Sequence, residues 1–354
     1  MVMLSRFRTA AQFAVIVSIA TATGVTNSAN AQAGDRCWVM PEPKSLVEAG
    51  HLSNNQARYR ARQTTVRKTR QPAGLILSDG ALRTAYTAGL LVGWSETGRR
   101  PDFDAVTAVG PSALIAPFAF LGSTGDQYVA DLFACPSNNW RATADRAANM
   151  INAKILALIA AKHRSGKRLL VAVKGNAARP SAYWDIGWIA AHLRPVDARR
   201  QIQSIFRAAV ELPVFPDTSS LPAAAGALLT RNRAFRQIGA GHAFFMPPAF
   251  RTSIRSLYII HNDVLLPDES VSFIARAAKQ NPSKANGKVS SLRTIYDIKR
   301  MADQLGKHYR IATIAPRKWF FPKGVFDQAY IKDVFIRSHR SARMSKLWQA
   351  GSKR

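Results

Sequence analysis

The chain has 354 residues, of which 47% are hydrophobic and 9% aromatic, and it carries 50 basic against 21 acidic residues. This size and composition exclude a fibrous or disordered chain and allow one large α/β domain or two smaller ones. A net charge of +29 attracts a protein surface to phosphate, either of anionic lipid head groups or of nucleic acid. The same charge also fits a solvated surface in a proteome that favours arginine.

The N-terminal residues 1–33 have the features of a secretory signal peptide. Arg6 and Arg8 provide a positive n-region, residues 10–22 a short apolar h-region, and Ala31-Gln32-Ala33 a small-residue cleavage site. We therefore expect a secreted or periplasmic protein. No later run of the sequence is long and apolar enough to span a bilayer.

The next segment, residues 34–71, is predicted to be a basic arm with little core. Residues 58–70 hold six basic side chains and no acid, which fits contact with an anionic surface or a solvated segment. Cys37 and Cys135 are the only cysteines. In an oxidising compartment they suggest one disulfide that ties the arm to the body, and two free thiols are the alternative.

The folded part begins with alternating strand and helix patterns, which are typical of a parallel sheet with helices on its faces. The patterns predict a strand over 73–78, a loop over 79–84, a helix over 85–97 and a strand over 103–109. Further along the chain they predict one long helix over 140–164, a strand over 168–173, a helix over 196–209, strands over 256–261 and 309–314, and helical segments to the C-terminus.

A sharp corner lies within the buried run 104–120, where a β-branched strand meets Gly110-Pro111 and continues as an apolar helix. In many hydrolases such a corner exposes a catalytic serine. Here the corner residue is a glycine. The seven histidines show no metal-ligand spacing, and no P-loop or dinucleotide fingerprint is present, so we predict neither a metal site nor a cofactor.

Several packing stretches support a resemblance to a known family. They are AGLLVGW at 88–94, RPDFDAVTAVGPSALIAPFAFLGS at 100–123, GKRLLVAV at 166–173, WDIGWIAA at 184–191, LPVFP at 212–216, FFMPP at 244–248 and FD..Y at 326–330. Together they resemble the secreted bacterial branch of the patatin-like phospholipases over roughly 75–348. The resemblance implies, for a domain over 72–350, a three-layer α/β/α patatin-like fold with a mainly parallel central sheet. It also implies lipid acyl-ester hydrolysis by a Ser–Asp dyad.

The family's nucleophile motif, G-x-S-x-G, corresponds here to Ala108-Val109-Gly110-Pro111-Ser112. Gly110 therefore stands in the serine position and supplies no nucleophile. Ser112 comes two residues later, where we expect a helix-start serine that bonds to backbone. Pro111 has no N–H to offer to an oxyanion.

The family's glycine-rich oxyanion loop corresponds to Asp79-Gly80-Ala81-Leu82-Arg83-Thr84. Only Gly80 remains of its glycines, and the added Cβ atoms restrict the left-handed geometry that aims N–H groups at a substrate. Asp79 also adds a negative charge where the loop needs positive dipoles. We expect Arg83 to pair with Asp79 and neutralise it.

The family's catalytic aspartate follows the LPVFP-like stretch, yet no carboxylate lies between Asp217 and Asp263. The only candidate base in that region is His242, which a structural role explains as well. Near the C-terminus, residues 331–348 alternate basic and apolar side chains. That pattern fits a helix lying on an anionic membrane, or an ordinary helix whose apolar side packs on the core.

These features favour an exported patatin-like homologue that has lost its dyad and binds anionic lipid, a small acyl-lipid or another envelope component. One alternative is an active lipid acyl-ester hydrolase that uses a displaced serine, Ser112 or Ser78, with His242. Another is a basic interaction protein whose partner is an acidic protein or polysaccharide. Export argues against nucleic acid as the partner. The sequence leaves the oligomeric state open.

Overall fold

The computed structural model describes residues 71–173, 182–210, 235–237, 253–264, 299–300, 302–304, 306–314, 322–324, 326–344 and 348–350. All of them belong to the compact unit Cys37–Arg354. The predicted signal peptide, nearly all of the basic arm, Cys37 and His242 lie outside the described residues. The same holds for the LPVFP and FFMPP stretches.

The described strands form one eight-stranded sheet in the order β5-β4-β3-β2-β1-β6-β7-β8. The strands β1, β2, β3, β6 and β7 are parallel, whereas β4, β5 and β8 run antiparallel to their neighbours. Their bounds are Ala73–Leu77 (β1), Ala105–Val109 (β2), Arg168–Val173 (β3), Ala182–Asp185 (β4), Phe235–Gln237 (β5), Ser256–Val264 (β6), His308–Ile314 (β7) and Gln349–Ala350 (β8).

Helices lie between several of these strands along the chain. Their bounds are Thr84–Glu96 (α1), Ala116–Leu121 (α2), Asp126–Ala134 (α3), Trp140–Met150 (α4), Ala153–Arg164 (α5), Ile186–His192 (α6), Pro195–Val210 (α7) and Gln328–Arg343 (α8). Short 3₁₀ turns occupy Ala81–Arg83, Gly110–Leu114 and Gly122–Gly125. No helix of the described part is long and apolar enough to cross a membrane.

Alternate residues of each central strand feed two different apolar cores, as the two-residue period of a strand requires. On β1, Leu75 and Leu77 join the larger core with α1–α8, while Ile76 joins the smaller core on the other face. Ala302, in a helical segment, belongs to that smaller core. The protein is therefore a three-layer α/β/α structure with a mostly parallel sheet, as the sequence predicted.

Two of the predicted elements are wrong. The single helix expected over 140–164 is two helices, because the backbone turns at Ile151 and the Asn152 side chain accepts a hydrogen bond from the Ile155 N–H to start α5. Near the C-terminus, residues 349 and 350 form the short strand β8, which pairs with β7, where a helix was expected.

Helix α8, the first part of the basic segment at 331–348, packs tightly on α1. Its apolar side is buried, and its arginines at 337, 340 and 343 are exposed. Two glycines of α1 permit the close approach: an added Cβ would lie 2.2 Å from the Phe335 carbonyl oxygen at Gly89, and 2.3 Å from the His339 carbonyl oxygen at Gly93. The apolar face of α8 is therefore occupied by the core and not available to a membrane.

We predict that Gly89→Ala destabilises the fold. Helix propensity alone favours the alanine by up to about 1 kcal/mol. The added methyl group would collide with the backbone of α8, however, and overpacking costs about 1–3 kcal/mol. Urea unfolding should therefore show a lower midpoint for Gly89→Ala than for the wild type.

Gly324→Ala is the matched control, because an added Cβ at Gly324 meets nothing within 4 Å. Its midpoint should not fall. A midpoint for Gly89→Ala at or above that of the wild type would contradict the close helix contact.

Candidate functional site

The candidate site lies at the carboxyl edge of the sheet, where the ends of β2, β1 and β6 are neighbours. On one side of β1 lie β2 and then β3, and on the other side lie β6 and then β7, so the strand order changes direction between β1 and β6. Ligands of open α/β sheets bind outside the carboxyl ends of strands at such a change of direction. The segments at the ends of the three strands carry Asp79, Gly110 and Asn262.

The corner after β2 is a sharp strand-to-helix turn. Gly110 has φ +62°, in the left-handed region that glycine adopts without steric cost, and it opens the 3₁₀ turn Gly110–Leu114. Ser112 lies inside this turn with none of its surface exposed. Its hydroxyl donates to the Ser78 carbonyl oxygen at 2.6 Å. Ser112 therefore bonds to backbone, as expected of a helix-start serine.

The Asp79 carboxylate occupies the space above the corner. A Cβ added to Gly110 would lie 2.4 Å from Asp79 Oδ1 and 2.7 Å from Asp79 Cγ. Real Cβ atoms do not approach other atoms so closely. A side chain at position 110 and the carboxylate of Asp79 in this conformation are thus mutually exclusive.

The same carboxylate also uses the loop's N–H groups. The backbone N–H of Gly80 donates to Asp79 Oδ1 at 2.6 Å, and that of Ala81 donates to the same oxygen at 3.4 Å. Ala81 is the one non-glycine residue with positive φ in the described part, at +48°. Ala81 therefore adopts the left-handed conformation despite its Cβ. The N–H groups of Gly80 and Ala81 donate to the Asp79 carboxylate.

A buried amide, Asn262 near the end of β6, joins the three strand ends. Its Nδ2 donates to the Ser78 carbonyl oxygen at 2.9 Å and to Ser112 Oγ at 3.2 Å. Its Oδ1 accepts from the Thr87 hydroxyl at 2.7 Å, and its backbone N–H donates to Ser78 Oγ at 2.8 Å. Asn262 is not predicted from the sequence, although a polar residue interrupting the buried run of β6 is a signal that could have indicated it.

Asn262 also explains the glycine at position 80. A Cβ added to Gly80 would lie 2.2 Å from Asn262 Cβ. The loop after β1 and the end of β6 therefore touch through a glycine. Packing alone requires a glycine at position 80, whether or not the loop binds a substrate.

The expected pairing of Arg83 with Asp79 is wrong. The Arg83 guanidinium donates instead to Asp263 Oδ2 at 3.2 Å. Next to Asp263 lies His261, which is almost fully buried; burial lowers its pKa to about 4, so the imidazole is neutral at neutral pH. The side chain of Arg83 is therefore held by Asp263 of β6 and not by Asp79 of its own loop.

Among the described residues, neither buried serine of the site hydrogen-bonds to an imidazole. Ser78 Oγ donates to the Asp79 carbonyl oxygen at 2.8 Å, and Ser112 Oγ donates to the Ser78 carbonyl oxygen. Within the described ranges no group of three or more His, Cys, Asp or Glu side chains is arranged to hold a metal ion. Cys135 is disulfide-bonded. Cys37, the only other cysteine, is outside the described residues.

No protein-family model matches this chain, and no curated protein resembles it closely enough to count as a relative.

We predict an energetic coupling between positions 79 and 110. Gly110→Ser should lower the free energy of unfolding by more than the roughly 1–3 kcal/mol that a left-handed non-glycine residue costs, because the added side chain collides with Asp79. Asp79→Gly should remove the collision, so that the double variant loses less stability than the two single variants together. Chemical denaturation of the four proteins measures this coupling, which we expect to be of the order of 0.5–3 kcal/mol.

Gly98→Ser is the control for backbone strain alone. Gly98 has φ +67°, but an added Cβ there meets nothing within 4 Å. Its effect should be additive with Asp79→Gly. If the stability losses of Gly110→Ser and Asp79→Gly were also additive, the carboxylate would not fill the corner in solution.

Proposed function

We propose that this protein is an exported, non-catalytic homologue of the patatin-like phospholipases that binds anionic lipid at the cell envelope. The observation that carries the proposal is the position of the Asp79 carboxylate. It fills the volume of the missing nucleophile above Gly110 and accepts the N–H groups of the loop that would stabilise an oxyanion. Acyl transfer needs both of these places empty until substrate arrives.

The alternative of a displaced nucleophile receives little support from the site. Ser112 has no exposed surface, and its single proton is donated to the Ser78 carbonyl oxygen. Its other hydrogen bond within the described part of the chain comes from the Asn262 amide nitrogen, which is a donor and cannot act as a base. A nucleophilic serine needs a base within hydrogen-bond distance and an open path to the acyl carbon.

The proposed ligand class rests on charge. The chain carries a net charge of +29, and an anionic membrane attracts each nearby Lys or Arg by about 1 kcal/mol. Exposed basic side chains stand on α8 and on α7 or directly before it, namely Arg194, Arg199, Arg200, Arg337, Arg340 and Arg343. Because the apolar side of α8 is buried, we propose binding through charge and not through insertion of that helix.

We predict that the protein, expressed from its full sequence and purified, does not accelerate hydrolysis of short-chain or long-chain p-nitrophenyl esters above the rate in buffer. Ser112→Ala should give the same rate, since Ser112 has a structural role. Ser341→Ala changes an exposed serine of α8 and serves as the matched control. Turnover that is lost in Ser112→Ala but kept in Ser341→Ala would establish a displaced nucleophile and overturn the proposal.

We further predict sedimentation of the protein with phosphatidylglycerol vesicles and not with phosphatidylcholine vesicles. Raising the salt concentration should release it, because a shorter Debye length screens exposed charges. Arg194→Gln/Arg199→Gln/Arg200→Gln should sediment less than the wild type at equal salt. Equal binding to both vesicle types, or none to either, would refute an anionic lipid as the ligand.

A further inference from the structure

A second polar site lies at the opposite, amino-terminal edge of the sheet, between β6 and β7. A groove of about 240 Å³ is lined there by Ser256, Leu257, Tyr258, His308 and Arg310. This volume is below the roughly 300–1,000 Å³ of pockets for drug-sized ligands. The groove therefore suits a small chemical group.

The strand register places four polar side chains of this groove on one face of the sheet. Ser256 is the neighbour of His308, and Tyr258 is the neighbour of Arg310. Adjacent strands are about 4.8 Å apart, and residues two apart on a strand are roughly 6.6 Å apart. The four side chains thus start from the corners of a small rectangle, a spacing that lets several of them reach one oxyanion.

The polar atoms of these side chains are not used within the described part of the protein. Among the described residues, the side chains of Ser256, His308 and Arg310 make no hydrogen bond or ion pair, and the Tyr258 hydroxyl makes none. The Arg310 guanidinium lies 5.7 Å from the centre of the Tyr258 ring. His308 and Arg310 are exposed at the groove. Their donors are available to a ligand.

Aromatic packing fixes the ring of Tyr258, which the Arg310 guanidinium contacts. The Tyr258 ring centre lies 5.3 Å from that of Trp94 and 5.3 Å from that of Trp348. The ring is therefore held from two sides. The contact of the Arg310 guanidinium with this ordered ring restricts the arginine, so less conformational entropy is lost when it binds a ligand. None of the described residues that line the groove is acidic.

We propose that this groove binds a phosphate group. The planar fork of Arg310 fits two phosphate oxygens, and the hydroxyls of Ser256 and Tyr258 and the ring of His308 supply further donors. The site is remote in the strand direction from the Asp79 corner and does not depend on the function proposed for the whole protein. Its phosphate comes either from a lipid head group or from a free phosphate.

The first test is calorimetric titration of the full chain with inorganic phosphate at constant ionic strength. Arg310→Gln should weaken binding by about tenfold or more, while Arg141→Gln, which removes an exposed arginine of α4, should leave it unchanged. Thermal unfolding of both variants checks that the fold is intact. Absence of phosphate binding would refute the site. An equal loss of affinity in both variants would instead indicate diffuse attraction to a basic surface, and would also overturn the proposal.

The second test identifies the source of the phosphate. Vesicles of phosphatidylcholine that contain phosphatidic acid present a phosphate monoester at a membrane surface. If Arg310→Gln loses affinity for these vesicles as well as for inorganic phosphate, the groove accepts a lipid head group. If it loses affinity for inorganic phosphate only, the groove takes a free phosphate. Affinity that is unaltered by Arg310→Gln for both probes refutes the proposal.

Discussion

The carboxyl edge of the sheet depends on one buried amide. Asn262 uses its Nδ2, its Oδ1 and its backbone N–H to hold the end of β1, the turn after β2 and the start of α1 together. Its side chain is completely buried, so each lost contact would leave a polar group without water. Because three strand ends meet at this amide, the corner at Gly110 has little freedom to move.

Because the corner is rigid, the Asp79 carboxylate stays in the space above Gly110. An aspartate on a mobile loop could turn towards solvent, but Gly80 is pressed against Asn262 and fixes the loop at its start. The carboxylate then lies over Gly110 and accepts the loop's N–H groups. The corner is a sharp strand-to-helix turn, and the protein's own carboxylate fills the space above it.

The two edges of the sheet therefore differ in what they offer. At the carboxyl edge the serine hydroxyls and the Asn262 amide are hydrogen-bonded to one another, to the Thr87 hydroxyl or to backbone. At the amino edge the side chains of Ser256, His308 and Arg310 keep donors that no other described residue uses. The tight contact between α1 and α8 buries apolar surface that the sequence alone allowed to be membrane-facing.

The sequence by itself determined the alternation of strands and helices, the parallel sheet and the glycine at the corner, because these follow from apolar periodicity and residue identity. It missed the break at Ile151, since Asn152 reads equally well as a polar helix residue and as a cap. Only the tertiary structure decided that Arg83 pairs with Asp263, that Asn262 joins the strand ends and that Asp79 fills the corner. The contacts of Arg83 and Asn262 join residues up to 184 positions apart, and no local pattern encodes which distant strand ends a sheet will bring together.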